Sequence, residues 1–295
     1  MANLVYRDLW RRLLSLYSEG EAKAIIRILL EDGFGIALTD ALCGSLSLMK
    51  EDDSKRLEAA MERLEKGEPV QYVVGKTMFM GRKFVVGSGC LIPRPETEEL
   101  CQWIREEHNG KEISILDIGT GSGCIAISLA LELQNGKAEG WDISEKALSI
   151  ATENAERLGA DVRFRLRNIL EESEKPEESP NRKEGRQWDL IVSNPPYICQ
   201  KERGEMHQNV KDYEPEEALF VPDDKPLMFY NAIIRYATRT LKEGGMLYFE
   251  INPLYAEGLR SVLSANGLSE TEIRNDQTGR PRFARATLNS LNSKT

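Results

Sequence analysis

The chain has 295 residues, 41% hydrophobic and 29% charged, an apolar share that supports a packed core and excludes global disorder. At ~150 residues per domain the length points to about two domains. Its 39 basic and 48 acidic residues leave a net charge of −9. An acidic chain without a basic block speaks against nucleic acid as the primary substrate, because Lys and Arg neutralising phosphates supply much of that affinity.

Residues 1–67 read as a helical domain. Leu4, Leu9, Leu13, Leu14 and Tyr17, then Ile25, Ile26, Leu29 and Leu30, recur at helical spacing. Arg7, Asp8, Arg11 and Arg12 lie among the first of these, which fits an amphipathic helix rather than a signal peptide. Residues 68–92 change character: Val70 to Val74 and Lys83 to Val86 are β-like runs with glycines at 75 and 81 between them, so a β-hairpin linker is expected. Pro93 and Pro95 then stiffen the entry to a helix near Glu96, and an ion pair of Arg94 with Glu98 is expected across its start.

Residues 93–295 are expected to form the second domain. Strands are predicted at Ile113 to Ile118, Ala138 to Asp142, Val162 to Leu166, Leu190 to Ser193 and Met246 to Ile251. Helices are predicted at Ile125 to Leu133, Ser144 to Leu158 and about Leu227 to Leu241. This alternation means an α/β fold with a doubly wound, mostly parallel sheet. Glu171 to Gln187, rich in Glu, Lys, Arg, Ser and Pro, reads as a solvated insertion. No run approaches the ~18 consecutive apolar residues of a membrane span. Five cysteines without CxxC spacing, and only His108 and His207 as histidines, give no basis for a metal site and suit a reducing compartment. The expectation is a cytoplasmic monomer with no membrane partner and no metal.

Asp117-Ile118-Gly119-Thr120-Gly121-Ser122-Gly123 follows a strand and opens a helix. Glycines there allow a sharp turn and let a ligand approach the main chain. Asp142 ends the next strand, where a carboxylate can accept both hydroxyls of a ribose. The loop by itself fits a nicotinamide dinucleotide or S-adenosylmethionine. Asp117 favours the second, because its charge can pair with an ammonium group and would repel a pyrophosphate.

The strand through Ser193 ends in Asn194-Pro195-Pro196-Tyr197. Ligands in open α/β sheets sit at the carboxyl ends of strands, so Asn194 falls on the edge that carries the glycine loop. The prolines fix the backbone and remove donors, leaving a rigid corner rich in carbonyl oxygens. Such a corner suits a planar nitrogen with two hydrogens, one accepted by the Asn194 side chain and one by the Pro195 carbonyl. Accepting both increases electron density on a nitrogen that is otherwise a poor nucleophile. Tyr197 offers a ring face for the planar group.

With this corner downstream of a Gly-x-Gly-x-Gly loop, the chain resembles class I methyltransferases acting on planar nitrogen. More narrowly, it is similar to the protein-(glutamine-N5) methyltransferase family that modifies peptide chain release factors. The match extends over Glu68 to Tyr72, Leu91-Ile92-Pro93-Arg94-Pro95-Glu96-Thr97-Glu98, Ile115 to Gly123, Asp142-Ile143-Ser144, Ser193 to Ile198, Tyr213-Glu214-Pro215, and Asp276 with Gly279 and Arg280. The resemblance implies a class I, Rossmann-like S-adenosylmethionine-dependent methyltransferase with a small N-terminal helical domain that grips the substrate protein. Its implied reaction is methylation of the glutamine in the Gly-Gly-Gln motif of class I release factors, in support of translation termination. Gly119, Thr120, Gly121, Ser122, Gly123, Asp142, Ile143, Asn168 and Ile169 would bind the cofactor, with Asp117 and Asn194 beside it. Asn194, Pro195, Pro196 and Tyr197 would hold the glutamine, with Asn194, Pro195 and Tyr197 the catalytic set. Asn168 stands where the family usually has Asp, and Glu250-Ile251-Asn252 replaces Glu-Ile-Gly, Asn being tolerant of a left-handed backbone. Two other enzymes compete: a glutamine methyltransferase of a ribosomal protein, and a DNA adenine-N6 methyltransferase, which uses the same tetrapeptide but needs a surface for an extruded base.

Overall fold

In the computed structural model, residues 5–133, 137–175 and 187–289 are described. The chain opens with helices α1 (Tyr6–Arg11), α2 (Glu19–Ile28), α3 (Leu38–Leu42) and α4 (Glu51–Glu65), with a π-helical turn at Leu29–Gly33 continuing α2. Ser18 caps α2 in a reciprocal box with Glu21, satisfying amide donors that the first turn leaves open. The apolar stripes meet in one cluster that includes Leu9, Leu13, Ile26, Leu30, Leu57 and Met61. Arg12 braces α1 to α4 by hydrogen bonds to Glu58 and Glu65.

The next segment corrects one expectation. Val70–Val74 is a helix, α5, ended by Gly75 in the left-handed conformation. The β-branched run is buried against the N-terminal cluster, which takes in Val70 and packs Val73 and Val74, and Arg63 on α4 donates to the carbonyls of Tyr72 and Val73. Packing overrides strand propensity there. The hairpin follows, as β1 (Lys76–Phe79) and β2 (Arg82–Val85) in antiparallel register, with Phe79 and Phe84 packed edge to face at 5.9 Å.

After α6 (Pro95–His108) come β3 (Ile115–Ile118), α7 (Cys124–Glu132), β4 (Ala138–Asp142), α8 (Glu145–Leu158), β5 (Val162–Leu166), α9 (Ile169–Glu172) and β6 (Trp188–Ser193). Two short strands, β7 (Ile198–Cys199) and β8 (Phe220–Val221), bracket α10 (Gln208–Tyr213) and α11 (Glu216–Leu219). The chain continues through α12 (Met228–Thr240), β9 (Leu241–Glu250), α13 (Ala256–Ala265), β10 (Leu268–Asn275) and β11 (Pro281–Leu288). The seven-stranded sheet has the order β10-β11-β9-β6-β3-β4-β5. Strands β9, β6, β3, β4 and β5 run parallel, while β11 and β10 are antiparallel and had no counterpart in the sequence reading. Two apolar clusters run along the sheet, one with Leu116, Ile191, Ile233 and Phe249, the other with Ile115, Ile127, Leu190 and Tyr248. Because β3, β4, β6 and β9 are parallel, Ile118, Asp142, Ser193 and Glu250 end on one edge. Most of the expected Glu171 to Gln187 insertion (176–186) lies outside the described residues; its first residues close α9. Among the described residues no helix is long and apolar enough to cross a membrane.

Candidate active site

The edge at the strand ends carries a cleft that opens to solvent, about 1020 Å³ with its mouth included. Gly119 to Ser122 form one wall, Asp142, Ile143 and Ser144 the next, and Ile169 with Phe229 a third; Asn194, Pro195 and Pro196 close the far end. The amides of Gly119 and Thr120 both donate to the Trp141 carbonyl, at 2.8 and 2.9 Å, which bends the loop over the end of β4. Gly123 turns the chain into α7 with φ of +79°, and a Cβ there would lie 2.8 Å from Ile127 Cδ1 and 3.1 Å from Ala151 Cβ. Glycine is required there on both counts.

Asp142 accepts from the amide of Gly121 through Oδ2 and from that of Ser144 through Oδ1, each at 2.9 Å. Two of the roughly four acceptor sites of a carboxylate are thus used to tie loop to strand, and the others remain for a ligand. Burial raises its carboxyl pKa, against the amide bonds that lower it. Asp117 stands differently from expectation: it is fully buried and does not line the cleft. Its Oδ2 accepts from Thr120 Oγ1 at 2.6 Å and from the Ala126 amide at 3.2 Å. Its Oδ1 has no partner, and desolvation pushes its pKa up to about 7. This half-satisfied carboxylate behind the loop suits a cationic ligand and opposes a pyrophosphate. S-adenosylmethionine, with its ammonium and sulfonium charges, fits this donor set.

Asn168 also departs from expectation. Its Oδ1 accepts from the Leu170 amide as the cap of α9 and its Nδ2 donates to Glu171; it does not line the cleft, whereas Ile169 does. Trp141 packs edge-on against Tyr236. His207 is exposed but lines a second cavity.

That second cavity shares Leu91, Arg94, Asn194, Pro195 and Ala218 with the first, and adds Tyr197, Val210 and Glu250. Asn194 and Pro195 therefore border both cavities. Asn194 Nδ2 donates to Thr97 Oγ1 at 3.2 Å, and Thr97 donates to Glu250 Oε2 at 2.7 Å. Tyr197 donates its hydroxyl proton to Glu250 Oε1 at 3.0 Å, so its ring is fixed from the phenol end and packs against the core. Asn252 has an extended backbone, φ −75°, rather than a left-handed one; its Nδ2 donates to the Tyr197 carbonyl at 3.1 Å and to Glu202, and its Oδ1 caps Leu254. The side-chain amide, not backbone tolerance, is what the corner uses.

Sequence reasoning missed Pro93, Thr97, Glu217, Phe229 and Glu250 as wall residues or supports; Arg94, read as a support of the wall, does line it. The expected Arg94–Glu98 pair is absent. Arg94 instead donates to Glu214 Oε1 at 2.5 Å, and Glu214 Oε2 accepts from the Ile92 amide at 3.2 Å. Glu98 accepts from the Met80 amide. The Pro-Arg-Pro-Glu-Thr-Glu run was a signal for these residues, but the acids that Arg94 and Thr97 bond, Glu214 and Glu250, come from 120 and 153 positions away.

A mostly parallel sheet with a glycine loop after β3, an acid ending β4 and a carbonyl-rich corner ending β6 defines a class I S-adenosylmethionine-dependent methyltransferase. A model described as "Methyltransferase domain" matches residues 109–263, and one described as "PrmC N-terminal domain" matches residues 7–75. The release factor glutamine methyltransferase of Bacteroides thetaiotaomicron is 42% identical over 93% of this chain and 95% of its own. Those of Flavobacterium psychrophilum and Bacillus subtilis are 38% and 35% identical, over 92% and 90% of this chain and 93% and 92% of theirs. The chain belongs to the release factor glutamine methyltransferase family.

Proposed function

We propose that this protein methylates the side-chain amide nitrogen (N5) of the glutamine in the Gly-Gly-Gln motif of class I peptide chain release factors, with S-adenosylmethionine as donor, and acts as a cytoplasmic monomer in support of translation termination. The observation that carries this reading is that Asn194 and Pro195 border both the cleft lined by the glycine loop and Asp142 and the second cavity lined by Tyr197 and Glu250. When bound, S-adenosylmethionine supplies a methyl group on a sulfonium sulfur. Gly119 to Gly123 and Asp142 would hold it, with Ile143 and Ile169 against its flat part. Asn194 Oδ1 accepts from none of the described residues and is free to take one hydrogen of the substrate amide. The Pro195 carbonyl takes the other, and the two acceptors orient the nitrogen and raise its electron density. Tyr197 and Pro196 bound the space in which the amide lies. Asp117 acts from behind the loop through its negative charge, and Asn168 by capping the helix that presents Ile169. Residues 1–67 serve as the part that grips the substrate protein. Family membership favours a release factor over a ribosomal protein or DNA as acceptor.

The test is methyl transfer from labelled S-adenosylmethionine to a purified class I release factor, beside the same factor with its Gly-Gly-Gln glutamine changed to alanine. Label on the first alone is expected. Equal label on both, or on neither, overturns the reading.

A further inference from the structure

The side-chain amide of Asn194 has two faces that differ only in which atom is oxygen, and the proposed chemistry requires the oxygen to face the substrate. Nothing in Asn194 itself decides this. The decision lies one and two side chains away. Glu250 is fully buried, and when ionised it is an acceptor only. Its two oxygens take the hydroxyl protons of Thr97 at 2.7 Å and Tyr197 at 3.0 Å. Thr97 is itself buried, at 2% exposure, and its one proton is committed to Glu250. The remaining capacity of Thr97 Oγ1 is therefore to accept. The neighbour at 3.2 Å must present N–H and not oxygen. The flipped amide would set two acceptors against each other with no proton between them.

We infer that Thr97 and Glu250 are positioning residues: Glu250 polarises the Thr97 hydroxyl into an acceptor, and Thr97 fixes the Asn194 amide with its oxygen toward the substrate nitrogen. The same carboxylate holds Tyr197, so both ends of the corner are referenced to one buried group. Thr97 comes from α6, Asn194 from the end of β6 and Glu250 from the end of β9, so the relay joins three elements that meet only in the folded sheet. Tyr230 adds a fourth tie by donating to the Glu250 main-chain carbonyl at 3.0 Å. The inference rests on the proposed glutamine methylation.

The experiment compares Thr97→Ser, Thr97→Ala and Thr97→Val in steady-state methylation of a class I release factor, with melting temperature and S-adenosylmethionine affinity measured on each. Ser and Ala leave the same space and differ only in the hydroxyl; Val keeps the volume and loses it. Expected is a kcat for Thr97→Ser within a few fold of wild type, and for Thr97→Ala and Thr97→Val a kcat about tenfold or more lower, the cost of a misoriented acceptor. Cofactor affinity is expected to stay within a few fold throughout. A merely structural threonine would group Ser with Ala in melting temperature and leave kcat alone. Thr97→Ala turning over as fast as Thr97→Ser overturns the inference while wild-type transfer leaves the proposed function standing. Absence of transfer in the wild type overturns the proposed function, and the inference with it.

Discussion

The two sides of the site are built on opposite principles. The cofactor side is made of main chain: the Gly119 to Gly123 loop, held by amide bonds to Trp141 and by Asp142 accepting from the Gly121 amide. The acceptor side, apart from the Pro195 carbonyl, is held in place by side chains: Asn194, Thr97, Glu250, Tyr197 and Asn252. A main-chain wall is specified by the conformation of a few consecutive residues, so it is local in sequence and intolerant of a Cβ. A side-chain wall is specified by partners far apart in the chain, and tolerates substitution to the extent that each proton still has one place to go. The two halves should therefore fail in different ways.

The largest effect is expected where the main-chain wall is filled. Gly123→Ala combines a left-handed backbone, costing about 1–2 kcal/mol, with a Cβ 2.8 Å from Ile127 and 3.2 Å from Phe164, an overpacking cost of about 1–3 kcal/mol. Chemical denaturation should show that loss of stability, together with loss of cofactor binding; unchanged stability would mean the loop bends more freely than its hydrogen bonds indicate. Asn194→Ala should act on the other side alone. Turnover is expected to fall at least ~100-fold, because the aligned acceptor is gone, while S-adenosylmethionine binding by calorimetry stays within a few fold. Loss of both together would dissolve the distinction between the walls. Asp142→Ala sits between these cases, weakening cofactor binding by about 1–3 kcal/mol and loosening the loop through the freed Gly121 amide.

That asymmetry also explains what could be read in the sequence. The glycine loop, Asp142 and the Asn194 to Tyr197 corner were legible because each is a short run whose chemistry is stated by adjacent residues. Arg94 was read with Glu98, four positions on, because local spacing suggests local pairs; its partner Glu214 is 120 positions away, and fully buried acids take whichever cation the fold brings to them. Val70 to Val74 looked like a strand because β-branched residues favour one. Five residues carry too little periodicity to decide, and burial against α4 and the π-helical turn decided it. Asn168 was taken for a ligand because the resemblance places a cofactor-binding residue at that position, yet its side chain is spent on the cap of α9. Strands β10 and β11 went unread because their alternation is broken by register shifts, and five of the eight residues of β10 are only partly buried.

The smallest predicted effect tests the boundary between the halves, at Asp117. This acid belongs to the main-chain wall by position but behaves as a buried side chain, with one oxygen satisfied and the other not. Burial lifts its pKa from 3.8 to about 7. Between those values the folded state holds a proton that the unfolded state releases, so this group's contribution to stability is present at low pH, declines as pH rises from about 4 to about 7, and levels off above that. Cofactor-free wild type should thus lose stability relative to Asp117→Asn between pH 6 and pH 8, by on the order of 1 kcal/mol, since the amide keeps an acceptor for Thr120 and cannot ionise. The comparison is read as the difference between the two denaturation midpoints at each pH, which cancels groups common to both proteins, such as Asp276, whose pKa is lowered to about 2. Saturating S-adenosylmethionine should shrink that difference, because a cationic ligand stabilises the ionised carboxylate that the empty loop penalises. A difference that stays flat with pH in the free protein would mean that Asp117 is ionised throughout and that its second oxygen is solvated. The loop would then hold its ligand by shape alone.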